Sequence, residues 1–362
     1  LPIPADHAAL RLDAAGRDAA RALDAADPMH RFRERFLLPP GPGGEPMAYF
    51  TGNSLGLQPR RVRQLIEEEL EDWATLGVEG HFHGRRPWYT YHERFREPLA
   101  RLMGAHPHEV VAMNSLTVNL HLMMVSFLRP EGRRRKVLIE HPAFPSDTYA
   151  VKTHLRARGL DPARDLIVVG PRPGEEGPRD EDILAAIAEA GDELALVMLG
   201  GVNFFTGQVL DMPRITAAAH AAGALCGWDL AHAAGNIPLR LHEWNADFAC
   251  WCSYKYLNGG PGAISGAFIH ERHARETDRP RFAGWWGNDP ERRFLMHLEP
   301  EFHARPDADG WQLSNPPVLG LTPLLASLEL FEEAGIDRLR ERSLRLTPYL
   351  RALLDASAAA SG

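Results

Sequence analysis

Between about Val137 and Ile269, short β-rich runs alternate with helical segments, and this alternation constrains the fold more than any other feature of the chain. The runs are "KVLIE", "DLIVVG", "LALVMLG", "ALCGWD", "DFACWC" and "GAFIH", with "DEDILAAIAEAG" and "MPRITAAAHAAG" between the middle ones. Such a pattern predicts an α/β fold, a mostly parallel sheet covered by helices. In open sheets of this class the site lies beyond the carboxyl ends of the strands. Asp229 closes "ALCGWD" and Ser253 to Lys255 follow "DFACWC", so both fall there.

The flanks read differently. Leu1 to Leu38 reads as helical and breaks at "PPGPGGEP", Pro39 to Pro46, the best candidate linker. "RRVRQLIEEELEDWATLG" reads as an amphipathic helix with Val62, Ile66, Leu70 and Trp73 as its apolar stripe and Gly77 as its stop. Beyond Arg275 the pattern loosens through a region rich in Trp and Pro, then ends in helices from Leu321 onward. The expected division is a helical segment and linker over 1–48, a large domain over 49–275, and the start of a small domain over 276–362. A chain of 362 residues has room for one large domain and a smaller one.

Charge and cysteine usage exclude several functions. A formal charge of −8 argues against surfaces for nucleic acid or anionic lipid, since both require clustered Lys and Arg. The run Arg133 to Lys136 is the local exception and reads as a solvated turn before "KVLIE". Three cysteines, Cys226, Cys250 and Cys252, sit in apolar surroundings, which suits a reducing compartment, the cytoplasm. Cys250 and Cys252 lack a second pair for zinc and read as core. No basic, apolar leader and no run of about 18 apolar residues is present, so neither export nor membrane spanning is expected.

A dinucleotide fold would show G-x-G-x-x-G after an early strand, and none stands in that context. The cluster "GGPGAISG", Gly259 to Gly266, reads equally as a tight turn or a cofactor loop. Asp229 with Lys255 says more: pyridoxal phosphate needs a lysine amine for its Schiff base and an acid against its ring nitrogen. Surface roles for the two remain the alternative. In "NSLTVNLHLMMVSFL", Leu116 and Thr117 open an apolar helix whose free amides form an anion site, though Thr117 reads equally as an ordinary N-cap. "HPAFPSDTYA" supplies Phe144, able to lie on an aromatic ring or to join the core, with Ser146 and Asp147 behind it.

With these residues stand "YFTGNSLGLQP", "GHFHGRRPW", "GVNFFTGQ", "WDLAHAAGN", "CWCSYKYLNGGPG" and "LSNPP". From about Tyr49 to Pro317 the chain resembles the kynureninase family of fold type I, aspartate aminotransferase-like pyridoxal phosphate enzymes. The resemblance implies a smaller α+β domain built from the two chain ends. It implies that Lys255 carries the cofactor and acts as base at the substrate Cα, and that Asp229 pairs with the ring nitrogen. His232 would fix that carboxylate, Leu116 and Thr117 would hold the phosphate, and Phe144, Pro145, Ser146 and Asp147 would surround the ring. Tyr254 would touch the phosphate and donate a proton. Trp285 and Asn315 would reach the cofactor of a neighbouring subunit, so a homodimer with shared sites is implied.

The implied reaction is hydrolytic Cβ–Cγ cleavage of L-kynurenine, or of 3-hydroxy-L-kynurenine, to anthranilate or its hydroxylated form and L-alanine, in tryptophan degradation. His81 and Asn315 would face the substrate's aromatic ring, and their pairing resembles members that favour the hydroxylated substrate. Metal binding by His81, His83 and His92 is the rival reading, without a suitable carboxylate pattern. Family members continue into a segment holding an arginine for the substrate's α-carboxylate. No such arginine is assignable here, and the absent initial Met points to a longer protein. Three alternatives stay open: a class V aminotransferase, a cysteine desulfurase, whose reactive Cys would follow the lysine whereas all three here precede it, and a non-enzymatic binding protein on the same fold.

Overall fold

The computed structural model describes residues 14–361. Seven strands form the central sheet: β1 (Val110–Ala112), β2 (Lys136–Glu140), β3 (Leu166–Val169), β4 (Leu194–Gly200), β5 (Leu225–Asp229), β6 (Phe248–Trp251) and β7 (Gly266–Ile269). Their order is β1-β7-β6-β5-β4-β2-β3, parallel from β3 to β6, with β7 antiparallel to both of its neighbours. All six predicted runs are strands. β1 is an addition, three buried residues too short to show a period.

Alternate side chains of each strand feed two cores. Leu138, Val197, Leu199, Ala249 and Trp251 enter one; Val137, Ile139, Leu196, Met198, Phe248 and Cys250 enter the other. Each large side chain so buried contributes roughly 1.5–3 kcal/mol. The main helices are α1 (Ala14–Ala26), α2 (Val62–Leu76), α3 (Leu116–Phe127), α4 (Pro145–Ala157), α5 (Asp180–Ala190), α6 (Met212–Ala221), α7 (Val318–Ala334) and α8 (Ile336–Ser361). Of the segment expected to be helical from Leu1 to Leu38, Leu1 to Asp13 lies outside the described residues, and Phe36–Leu37 is a short strand paired with Gln58–Pro59. The two chain ends meet: Arg342 donates to Asp27, and Met29 and Phe32 pack with Leu330 and Ala334.

Two expectations about charge and burial are corrected. Helix α2 forms and stops at Gly77 as predicted, but Leu70 and Trp73 of its apolar stripe are exposed, and the inward face is Leu65, Glu69 and Asp72. Its acids turn inward because cations wait there: Glu69 takes Arg86, Trp88 Nε1 and Tyr91 Oη, and Asp72 takes the backbone and guanidinium of Arg85. The Arg133 to Lys136 run is not merely solvated either. Arg134 donates to the carbonyls of Leu194 and Ala222, Arg135 pairs with Asp165, and Lys136 pairs with Glu193.

One buried acid ties the strands that carry the site. Asp247, just before β6, is 1% exposed and accepts from Cys226 N of β5, His220 Nε2 of α6, and His273 Nε2 and Arg272 beyond β7, at 2.6–2.8 Å. At the amino-terminal side, Gly56 N–H donates to Tyr254 O at 2.8 Å. A Cβ on Gly56 would collide with Lys255 O, so only glycine allows the two backbones to approach this closely. Among the described residues no helix is long and apolar enough to cross a membrane.

Candidate active site

Helix starts, strand ends and one loop converge on a cleft of about 150 Å³ lined by Leu116, Thr117, Glu140, Phe144, Asp147, Asp229, His232, Tyr254 and Lys255, among others. Ser115 is the N-cap of α3 and is extended, so Thr117 is not the cap but the second helical residue. Its hydroxyl lies 2.9 Å from that of Ser146 in the first turn of α4, whose N1 residue is Pro145. Two helix starts therefore meet where their amides lack intrahelical partners, an arrangement suited to an anion.

Phe144, the N-cap of α4, is 45% exposed, with Lys255 Nζ 5.7 Å from its ring centre and Phe204 packed edge-on at 5.4 Å. A ring this exposed at the cleft is not part of the core. Lys255 Nζ is 2.9 Å from His232 Nε2. Burial, and then the Lys255 charge, push the His232 imidazole down to about 4, so at neutral pH it accepts from the amine rather than repelling it. His232 thus touches the lysine, whereas the resemblance assigned it to the carboxylate. Asp229 Oδ1 instead takes Ala231 N–H at 2.6 Å.

Asp147 and Asp229 face each other, both buried. Burial raises both, and the neighbouring Asp229 charge raises Asp147 further, well above the carboxylate range. Like charges this close do not both ionise. Asp147 holds the proton and Asp229, stabilised by that hydrogen bond, by Ala231 N–H and by Lys255, is the anion. Asp147 Oδ1 is a buried acceptor without a partner, on a residue that lines the cleft. Burial and Cys252 push the Tyr254 hydroxyl up to about 12, so it remains a donor at neutral pH.

Sequence reasoning missed Glu140, which lines the same cleft. The signal was present, since "KVLIE" ends in an acid as "ALCGWD" does. The glycine cluster stays out of the cleft. Asn258, Gly260 and Gly262 take positive φ and Gly259 N–H donates to Ser253 O, so it is the tight turn.

His81 and Asn315 meet, but in a second cleft of about 140 Å³, with Trp73, Trp88 and Trp286 among its walls. Trp285 packs edge-on against Trp286 at 4.8 Å. None of the three lines the cleft of Lys255 within the chain. His81, His83 and His92 do not gather: His81 stands edge-on to Trp88, His83 is 3.7 Å from Glu79, and His92 bonds Asp309.

Comparison with known proteins places the chain in a family. A family profile described as Aminotransferase class-V matches residues 48–361. A kynureninase of Koribacter versatilis is 59% identical over 92% of this chain and 78% of its own, and one of Myxococcus xanthus is 59% identical over 93% and 78%. A kynureninase of Flavobacterium johnsoniae is 54% identical over 93% and 79%. Among solved structures, a cysteine desulfurase of Thermococcus onnurineus superposes with a TM-score of 0.67 at 19% identity, covering 85% of this chain and 73% of that one. Escherichia coli cysteine desulfurase CsdA also gives 0.67, at 17% identity, over 85% and 72%. At such identities these two establish the shared fold alone.

Proposed function

Because the chain belongs to the kynureninases within the class-V aminotransferase family, we propose that it cleaves the Cβ–Cγ bond of L-kynurenine with water, giving anthranilate and L-alanine. The observation that carries this reading is the single cleft that joins a buried acid pair, a lysine with its imidazole acceptor, and two hydroxyls at helix starts. The cofactor is pyridoxal phosphate, and the residues fit it: the open Asp147 Oδ1 and Asp229 provide for a ring nitrogen, and the Thr117 and Ser146 hydroxyls provide for a phosphate. When bound, it supplies an electron sink for charge developing at the substrate Cα.

Each residue then has a stated task. Leu116, by opening α3, and Thr117 hold the phosphate with Ser146; Phe144 and Pro145 cover the ring; Asp229, steadied by the proton of Asp147, retains positive charge at the ring nitrogen. Lys255 holds the cofactor and moves the Cα proton, with its Nζ aimed by His232. Tyr254 donates a proton beside it. The reaction adds one water across the Cβ–Cγ bond: the hydroxyl ends on the former ketone carbon as carboxylate, and hydrogen ends on Cβ of alanine.

We also infer a homodimer with shared sites. The separate cleft of His81 and Asn315, with Trp285 packed on its wall residue Trp286 and with exposed Leu70 and Trp73 on α2, supports completion by a second copy that brings these residues to its cofactor and to the aryl end of the substrate. The division into 1–48, 49–275 and 276–362, with the two ends forming a smaller domain, is supported by the contacts of Asp27 with Arg342 and of Phe32 with Leu330 and Ala334. Three buried free thiols support the cytoplasm as its compartment.

The test is to supply L-kynurenine and pyridoxal phosphate, following anthranilate fluorescence and alanine release with Lys255→Ala alongside. Both products should appear in equal amounts only when Lys255 is present. A keto acid in place of alanine would refute hydrolysis in favour of transamination.

A further inference from the structure

From β2 the chain crosses to β3 on one side of the sheet and later to β4 on the other, so the crevice opens between the carboxyl ends of β2 and β4. Three residues stand there side by side: Glu140 ends β2, Gly200 ends β4 and Asp229 ends β5, with Gly200 and Asp229 in register. Glu140 is 5% exposed, and its Oε1 accepts Gly200 N–H at 3.1 Å. A Cβ on Gly200 would stand 3.0 Å from that oxygen. The missing side chain leaves the passage through which the Glu140 carboxyl lies across β4 toward Asp229.

The titratable groups that share the cleft with Glu140 are Asp147 on α4, Asp229 and His232 from the end of β5, and Tyr254 and Lys255 after β6. Three carboxyls thus face one ammonium in a largely buried space, more negative charge than the site can hold fully ionised. One proton is accounted for by the Asp147–Asp229 pair. Glu140 has no place in the scheme above.

Building on the assignment of pyridoxal phosphate to this cleft, we propose that Glu140 is a positioning residue whose own charge tunes the Asp147–Asp229 pair that would meet the cofactor's ring nitrogen. Neutral, it leaves the pair with one net negative charge. Ionised, it adds a second beside Asp229 and strengthens the hold on a positive ring nitrogen. Burial, and to a smaller degree Asp229, push the Glu140 carboxyl up to about 7, against the opposing effect of Gly200 N–H, so the change of charge falls in the neutral range. A cation placed by the cofactor favours the ionised form. Binding therefore releases a proton from Glu140, and the affinity it contributes rises with pH.

The test compares the parent chain with Glu140→Gln, which retains a carbonyl acceptor for Gly200 N–H but carries no charge. The dissociation constant of pyridoxal phosphate is measured on the apoprotein between pH 6 and 8. The variant should bind within about twofold of the parent at pH 6 and about tenfold more weakly at pH 8, because the bound cation makes the Glu140 proton about tenfold easier to lose. Gly200→Ala is the second variant. It keeps the acid but makes its carboxyl give way by a few tenths of an ångström, so it should show a widening gap of the same sign and smaller size. A ratio of constants that stays fixed across the range overturns the proposal while leaving the cofactor assignment intact. Failure of the parent chain to bind pyridoxal phosphate would overturn both.

Discussion

Replacing Asp247 by Asn should destabilise the protein by about 4 kcal/mol. The carboxylate is buried and receives four donors, two on each oxygen: Cys226 N and His220 Nε2 on Oδ2, His273 Nε2 and Arg272 on Oδ1. Asn turns one oxygen into a donor, so whichever way the amide lies, two donors lose their acceptor. Each such loss costs about 1–3 kcal/mol, and breaking a buried ion pair by removing one partner costs about 3–5 kcal/mol, so both routes meet near the same figure. The loss is a large fraction of the roughly 5–15 kcal/mol that holds a typical protein folded. Hydrogen bonds from His220 and His273 and the Arg272 guanidinium hold the Asp247 carboxyl far below the ordinary range despite its burial. The sign follows: a depressed folded pKa contributes stability that is present above the unfolded value, about 3.9, and lost only as pH falls through the folded one. Urea unfolding followed by tryptophan fluorescence at pH 8 and pH 5 should therefore show a comparable deficit at both. A deficit under about 1 kcal/mol at either pH would refute the argument that this acid ties β5, β6 and α6 together.

Two further outcomes follow from other residues. His154 is buried with its Nδ1 facing Arg158 at 2.7 Å and its Nε2 facing His121 at 2.9 Å, and burial, Arg158 and His121 push it down to about 4. Its contribution is full above the unfolded value of about 6.5 and lost as pH falls toward 4, so thermal melting should decline more steeply over that window in the parent than in His154→Asn; equal slopes would exclude it. His81→Trp should shift the kcat/KM ratio of 3-hydroxykynurenine to kynurenine toward kynurenine by about tenfold, the effect of one specific polar contact. A strong kynurenine preference in the parent, unchanged in the variant, would remove His81 from substrate selection.

How much is legible in the sequence depends on whether a residue's partners are local. Asp229 and Lys255 can be read because each follows or closes an apolar run, and strand ends in a parallel sheet define one edge. Glu140 ends its run in the same way, yet nothing local shows that Gly200, 60 residues on, leaves room for its carboxyl. For helix α2 the span and stop are legible and the inward face is not. Its period of apolar residues is genuine, but the cations that draw Glu69 and Asp72 inward come from Arg85 and Arg86, outside the helix. That His81 and Asn315 lie together is implied only by the resemblance, because they are far apart in sequence and neither is unusual alone, and nothing in the sequence shows that they line a cleft apart from Lys255.

Gly56 carries a consequence for anyone altering the chain. Its backbone rests on the peptide that bears the reactive lysine, so the segment after Tyr49 and the loop after β6 behave as one part with two addresses. Trimming, grafting or crowding the amino-terminal arm would shift the lysine's seat without touching any residue of the cleft. Such a change would look, in an assay, like damage to the chemistry when only the mounting had moved.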